Sequence, residues 1–219
     1  MTTIKVYQWA LIILVLFVMV SHSCKIFFSI QYNSVISYYW LCFTILTGIW
    51  ETLYIINNKV TNYYSHNLLD TNSHIWCKVQ DISIILPINT AKIFYGEYGA
   101  YADRLYMTRK NKWSIIIEGS HAVFCGCISL ICIIGLIIKN MKIFYIALGF
   151  SMGSQLMNSV LYISEYIIQT YNSNSINYDT PCFPCGKFLC KRPFMWINVF
   201  WTLMPSYVLI YNFSKINII

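Results

Sequence analysis

Charge is what this sequence has least of. Asp, Glu, Lys and Arg make up 11% of its 219 residues, where a soluble domain averages about 25%. So small a supply cannot coat a water-facing surface, which excludes an ordinary soluble domain. Carboxylates are the scarcer sign, with eight Asp and Glu against fifteen Lys and Arg. The chain also lacks a Gly-rich nucleotide loop, an H-E-x-x-H and a G-x-S-x-G. It therefore carries no signature of a phosphate cradle, a zinc protease or a serine hydrolase. No run of Lys and Arg lies on a polar module, so the net charge of +7 reads through the positive-inside rule and not as nucleic-acid binding.

What is plentiful is apolar sequence, and it comes in long blocks, the pattern of membrane-spanning helices of about 20 residues. The first block, "VYQWALIILVLFVMVSHSC", is uncharged and has no A-x-A-like site after it, so it reads as a retained span and not a signal peptide. Five spans are expected, over residues 6–28, 34–56, 114–138, 143–168 and 193–213. Glu51 falls in the second and Glu118 in the third, while Pro205 should kink the fifth. The long second loop holds "ISIILPINTA", too short to cross and broken by Pro87, which suits a re-entrant or interfacial element. The tract after it, "KIFYGEYGAYADRLYMTRKNK", mixes aromatics and charges as a headgroup-level segment does. There is no internal repeat. The expected fold is all-α: residues 1–219 form one integral-membrane domain, a bundle of five transmembrane helices with a ligand cavity. The simple positive-inside count puts the N-terminus in the cytosol.

The nine cysteines do not form a secreted framework, because Cys24, Cys42, Cys125, Cys127 and Cys132 lie in or beside apolar stretches. "CFPCGKFLC" supplies Cys182, Cys185 and Cys190 but no fourth zinc ligand. A loop disulfide and unpaired loop thiols both fit it. No metal and no cofactor is expected.

Ionisable groups inside spans cost roughly 2.5–3.5 kcal/mol each at the bilayer centre and turn towards the bundle interior. His121 follows Glu118 by three residues, about 60° round a helix, so the two share a face. A helix-packing hydrogen bond or a headgroup-level position would also accommodate Glu118. A di-metal site would need a second Glu-x-x-His pair, which the chain lacks. In the fifth span Asn198 and Trp201 share a face one turn before Pro205. A Trp face in a dry site stabilises a cation by about 2 kcal/mol or more, and a buried Asn needs partners from neighbouring helices or a polar ligand group.

Taken together, these features resemble the emopamil-binding protein family, the sterol Δ8-Δ7 isomerases that carry the EXPERA domain, over Trp40 to Phe213. "GEYGAYADRLY" is similar to the family's E-Y-x-K-G-D-S-R-Y tract with one extra residue. "IEGSHAV" resembles its M-E-T-x-T-A segment. "GSQLMNSVLYISE" resembles its G-Q-x-Y-G-D-V-L-Y-x-x-T-E helix, one residue shorter at the end. "NVFWTLMP" matches N-A-L-W-x-x-x-P in register.

The resemblance implies a multi-pass protein of the endoplasmic reticulum membrane with a cavity for a sterol or an amphiphilic amine; a homodimer is compatible with it. It implies a reaction in which an acid protonates a ring double bond and a base removes a neighbouring proton from the resulting carbocation. Glu118 falls on the family's third-span carboxylate, and Asn198 and Trp201 on its pocket Asn and cation-stabilising Trp. The second span departs from the family's H-x-x-x-E. Without a gap Trp50 and Tyr54 occupy those positions, and a one-residue shift uses Glu51 instead. His121 stands where the family has Thr and could restore the imidazole. Glu118, His121 and Glu51 are therefore the expected catalytic groups, and Trp50, Tyr54, Asn198 and Trp201 the expected substrate contacts. The alternative is a non-enzymatic sterol- or amphiphile-binding member of the same superfamily, akin to the sigma-two receptor.

The chemistry explains the residue types. Protonating an unactivated alkene needs a carboxylic acid whose charged form is disfavoured, which burial achieves. The cation then needs carboxylate charge and aromatic faces away from water. Glu118→Gln keeps the side-chain shape and removes the titratable group. It is expected to abolish sterol turnover and spare ligand binding, read by mass spectrometry and by amine binding in the same membranes.

Overall fold

The computed structural model describes residues 3–32, 34–101, 112–171 and 195–214, with the backbone alone at 112–118, 165, 169, 170 and 195. The chain is mostly helical. Seven α-helices are described: α1 (Val6–Phe27), α2 (Val35–Ile56), α3 (Asn58–Asp70), α4 (Pro87–Tyr101), α5 (Lys112–Ile137), α6 (Met141–Thr170) and α7 (Met195–Phe213). Among the described residues three segments are long and apolar enough to cross a membrane: α1, α2 and Gly119–Ile137 of α5. At 1.5 Å per residue the 22 residues of α1 reach about 33 Å, against a hydrocarbon core of about 30 Å. Leu11, Leu14, Met19 and Val20 of α1 are exposed, a surface that hydrocarbon and not water would cover.

The turns between long helices follow local chemistry. The Ser34 side chain accepts from the Ser37 N–H at 3.2 Å, capping α2. Ser29 (φ 49°), before α2, and Lys139 (φ 56°), between α5 and α6, turn the chain through left-handed backbone.

One short ribbon accompanies the helices: β1 (Thr3–Lys5) pairs antiparallel with β2 (Val79–Asp81), with Ile4 opposite Gln80. Pro87 breaks the apolar stretch as expected, and it also opens the helix that follows. Proline is tolerated at a first helical position because that N–H has no intrahelical partner, and Leu86 before it is extended at ψ 133°. The tract that mixes aromatics and charges packs inside the protein as far as the structure describes it. Glu97 is 1% exposed, and Tyr98 and Tyr101 are also buried. Glu97 can be buried because its charge is satisfied. It accepts from the Ile75 N–H at 3.1 Å and meets His74 Nδ1 at 2.6 Å. Residues 102–111, which complete that tract, and Cys182, Cys185 and Cys190 lie outside the described residues.

The long helices pack as a ladder. α2 lies along α5, α5 along α6 and α6 along α7, while α4 packs on both α3 and α2. One apolar cluster joins α2, α5, α6 and α7 through Tyr38, Leu41, Cys132, Phe144, Leu148 and Val208. A second ties the start of α1 to α3 and α4 through Val6, Trp9, Leu68, Ile75, Ile93 and Tyr101. Burying polar side chains between helices requires partners. Gln155 accepts from Trp40 Nε1 and donates to Thr44 Oγ1, both at 3.2 Å, and Ser129 meets Ser151 at 2.8 Å.

Glycine sets how closely α2 and α5 approach. A Cβ on Gly126 would lie 3.2 Å from Gly48 Cα and 3.3 Å from the Thr44 carbonyl oxygen. Both are backbone atoms that cannot swing aside. Gly126→Leu is therefore expected to cost about 1–3 kcal/mol or more by overpacking. Gly153→Ala meets no atom within 4 Å and should be neutral or gain up to about 1 kcal/mol. Thermal unfolding of the two variants in detergent checks the contrast.

Candidate functional site

A cavity of about 300 Å³ lies where α2, α4, α5, α6 and α7 converge, at the lower end of the range for small-molecule sites. Each helix offers it one stripe at three- or four-residue spacing, the period of a single helical face. α2 contributes Phe43, Thr44, Thr47, Trp50 and Glu51; α5 contributes His121, Ala122 and Cys125. Tyr95 and Tyr98 come from α4, Asn158 and Tyr162 from α6, and Asn198 and Trp201 from α7.

Among the described residues the carboxylate at this site is Glu51, 6% exposed. Its Oε2 accepts a hydrogen bond from the Tyr95 hydroxyl. α4 is only 15 residues long, too short to span a bilayer. Burial, and then the neighbouring Glu51 charge, holds the Tyr95 phenol well above its usual range, so it keeps its proton and donates. The Tyr95 ring stacks on Tyr54 with centroids 4.7 Å apart.

The imidazole of His121 has a defined tautomer when neutral. Its Nε2 lies 3.0 Å from the Ser154 carbonyl oxygen, which can only accept, so Nε2 carries the hydrogen and Nδ1 is the acceptor. The thiol of Cys125 lies 3.4 Å from the same Nε2. Because that nitrogen already donates, it cannot also take the thiol proton, so this pair does not make an activated nucleophile.

Aromatic rings also line the cavity. Trp201 stacks on Phe43 at 5.7 Å with planes 16° apart and leans on Trp40 at 4.7 Å. Two aromatic neighbours fix its orientation on the wall it shares with Glu51. Asn198 Nδ2 donates to the Tyr98 hydroxyl at 3.3 Å, and Tyr98 donates to Tyr162 at 2.7 Å, a polar strand linking α7, α4 and α6. Among the described residues no three His, Cys, Asp or Glu come together as a metal site.

The structure brings Glu51, Trp50, His121, Asn198 and Trp201 to one cavity. Tyr54, expected to touch substrate, is instead buried at 2% exposure behind Tyr95 and does not line the cavity. Tyr54 shares the face of Glu51 but lies one turn further along α2, where the Tyr95 ring stacks on it. Glu118 lies on α5 one turn before His121, and its side chain is outside the described atoms. Sequence reasoning missed Thr47, Tyr95, Tyr98 and Tyr162. The Tyr95/Tyr98 spacing was a signal, since i and i+3 share a helical face, but the tract was read as interfacial.

A carboxylate and stacked aromatics lining one cavity are suited to a cation. Trp201→Ala is expected to weaken amphiphilic amine binding by about 1–2 kcal/mol, roughly a five- to thirtyfold rise in Kd. Displacement of a labelled amine from membranes measures it, and unchanged affinity would return Trp201 to a packing role. Set beside protein-family models, curated proteins and solved structures, the chain matches none of them.

Proposed function

We propose that this chain is a sterol Δ8-Δ7 isomerase of the emopamil-binding type, a five-span bundle in the endoplasmic reticulum membrane. The observation that carries the reading is the convergence of Glu51, His121, Asn198 and Trp201, from three helices, on one aromatic cavity. The fourth and fifth spans are α6 and α7, with 30 and 19 residues. The shorter reaches about 28 Å, enough to cross.

The chemistry follows from the groups present. A donor on α5, Glu118 or a protonated His121, delivers a proton to one alkene carbon, leaving the positive charge on the other. Glu51 and the Trp201 face stabilise that cation where water is excluded. Loss of a proton from the next carbon to a carboxylate supplies the electron pair of the new double bond. Proton gain and loss cancel, so no cofactor is required. The one-residue shift that uses Glu51 in place of the family's second-span motif is the one that reaches the cavity, since Glu51 lines it and Tyr54 does not. His121 of α5 lines the same cavity and takes over the imidazole role.

A non-enzymatic sterol- or amine-binding protein is the second reading. It is favoured by the hydroxyl of Thr47 and the indole of Trp50 on the α2 face, where a proton-transferring imidazole would be expected. Expression in yeast lacking its sterol isomerase separates the two. Conversion of Δ8- to Δ7-sterol, seen by mass spectrometry, is the expected result, with Glu51→Gln lowering it about 10²-fold or more. Persistent Δ8-sterol at good expression would sink the enzyme, and amine binding retained in those membranes would favour the binder.

A further inference from the structure

We propose that Tyr95 is a positioning residue for Glu51, holding that carboxylate as the proton acceptor of the cavity. This divides the isomerisation between a base on α2 and a donor on α5, and it rests on the isomerase reading above.

Three features of the geometry point the same way. The first is the direction of the hydrogen bond: the Tyr95 hydroxyl donates and Glu51 Oε2 accepts. An ionised carboxylate only accepts, so a donor aimed at it suits a base and not an acid about to release its proton. The second is rigidity. The Tyr95 ring stacks on the buried Tyr54 at 4.7 Å and meets the edge of Phe94 at 5.3 Å. α4 is itself anchored two residues further on, where Glu97 accepts from the Ile75 backbone. A donor whose ring cannot rotate away fixes one carboxylate oxygen. The third is the position of both groups on the cavity wall, with Glu51 6% exposed.

Among the described residues the other titratable groups on that wall are Tyr98 from α4, His121 and Cys125 from α5, and Tyr162 from α6; α7 presents Asn198 and Trp201, neither of which titrates. Tyr98 is engaged with Tyr162 and Asn198. Tyr95 is thus the phenol placed to act on Glu51.

The proton balance is simple. The α5 donor adds a proton to an alkene carbon, and the carbon–hydrogen bond beside the cation breaks, its electron pair closing the new double bond. Glu51 receives that proton. Glu51 releases it and the α5 donor regains one before the next cycle, so nothing is consumed. Tyr95 touches neither carbon and works only through Glu51.

Tyr95→Phe keeps the ring stack and removes the donor. With the purified, detergent-solubilised full chain, kcat is expected to fall about 10- to 100-fold while KM moves less than about twofold. In a Glu51→Gln background the same change should cost under about twofold more, because the partner is already gone. Dicyclohexylcarbodiimide, which modifies protonated carboxyl groups in apolar surroundings, should label Glu51 at least about threefold faster at pH 7 in Tyr95→Phe than in the wild type, read by peptide mass spectrometry. An unchanged kcat, an equal loss in the Glu51→Gln background, or unchanged labelling would each overturn the assignment. If the wild type converts no sterol, the isomerase reading fails, and the labelling still decides whether Tyr95 controls Glu51.

Discussion

The close approach of α2 and α5 at Gly48 and Gly126 sets the geometry of everything around the cavity. Neither glycine has a side chain to hold the backbones apart, and the Ala122 carbonyl oxygen would lie only 3.0 Å from a Cβ on Gly48. Glu51 follows Gly48 by three residues, and His121 precedes Gly126 by five. The contact therefore brings the carboxylate of one helix and the imidazole of the other to the same wall. In lipid, where apolar side chains gain nothing by leaving the solvent, such small-residue contacts are what let helices pack tightly. A bulkier residue at either glycine would wedge apart two groups that share the cavity wall.

Satisfying polar groups is the second constraint, and it accounts for most of the buried hydrophilic residues. The Trp40–Gln155–Thr44 chain, the Ser129–Ser151 pair and the Glu97 bonds each give a buried group a partner. An unpaired polar group in a low-dielectric interior costs a few kcal/mol, so these bonds specify which faces of the helices meet. The cavity wall gathers a carboxylate, an imidazole and an amide from three helices, and each of them also has a partner, in Tyr95, Ser154 and Tyr98.

The segment between α2 and α5 is best understood as a support that carries tyrosines into the bundle. The β1–β2 ribbon and the Val6–Trp9–Leu68–Ile75 cluster hold the start of α1 against α3 and α4. Anchored there, α4 reaches across to place Tyr95 on Glu51 and Tyr98 on Asn198. A 15-residue helix opened by proline thus does what a floppy interfacial loop could not.

Some of this was legible in the residues alone and some was not. The ends of α1 and α2 fall within a residue of expectation, because each long apolar run is bounded by polar residues, Ser34 before α2 and Asn57 after it, and hydrophobic length is a local property. Glu51, His121, Asn198 and Trp201 could be singled out for the same reason: a polar group inside an apolar run is costly wherever it sits. The partner of each could not be read. Tyr95 lies 44 residues from Glu51, Tyr98 lies 100 from Asn198, and Trp40 lies 115 from Gln155. Helical period shows which residues share a face but not which helix that face will meet. Tyr54 illustrates the difference, since one turn of α2 separates a cavity residue from one buried behind it. Apolar length determined the membrane helices; only their packing, set by backbone contact at two glycines and by polar groups that had to be paired, decided which side chains share the site.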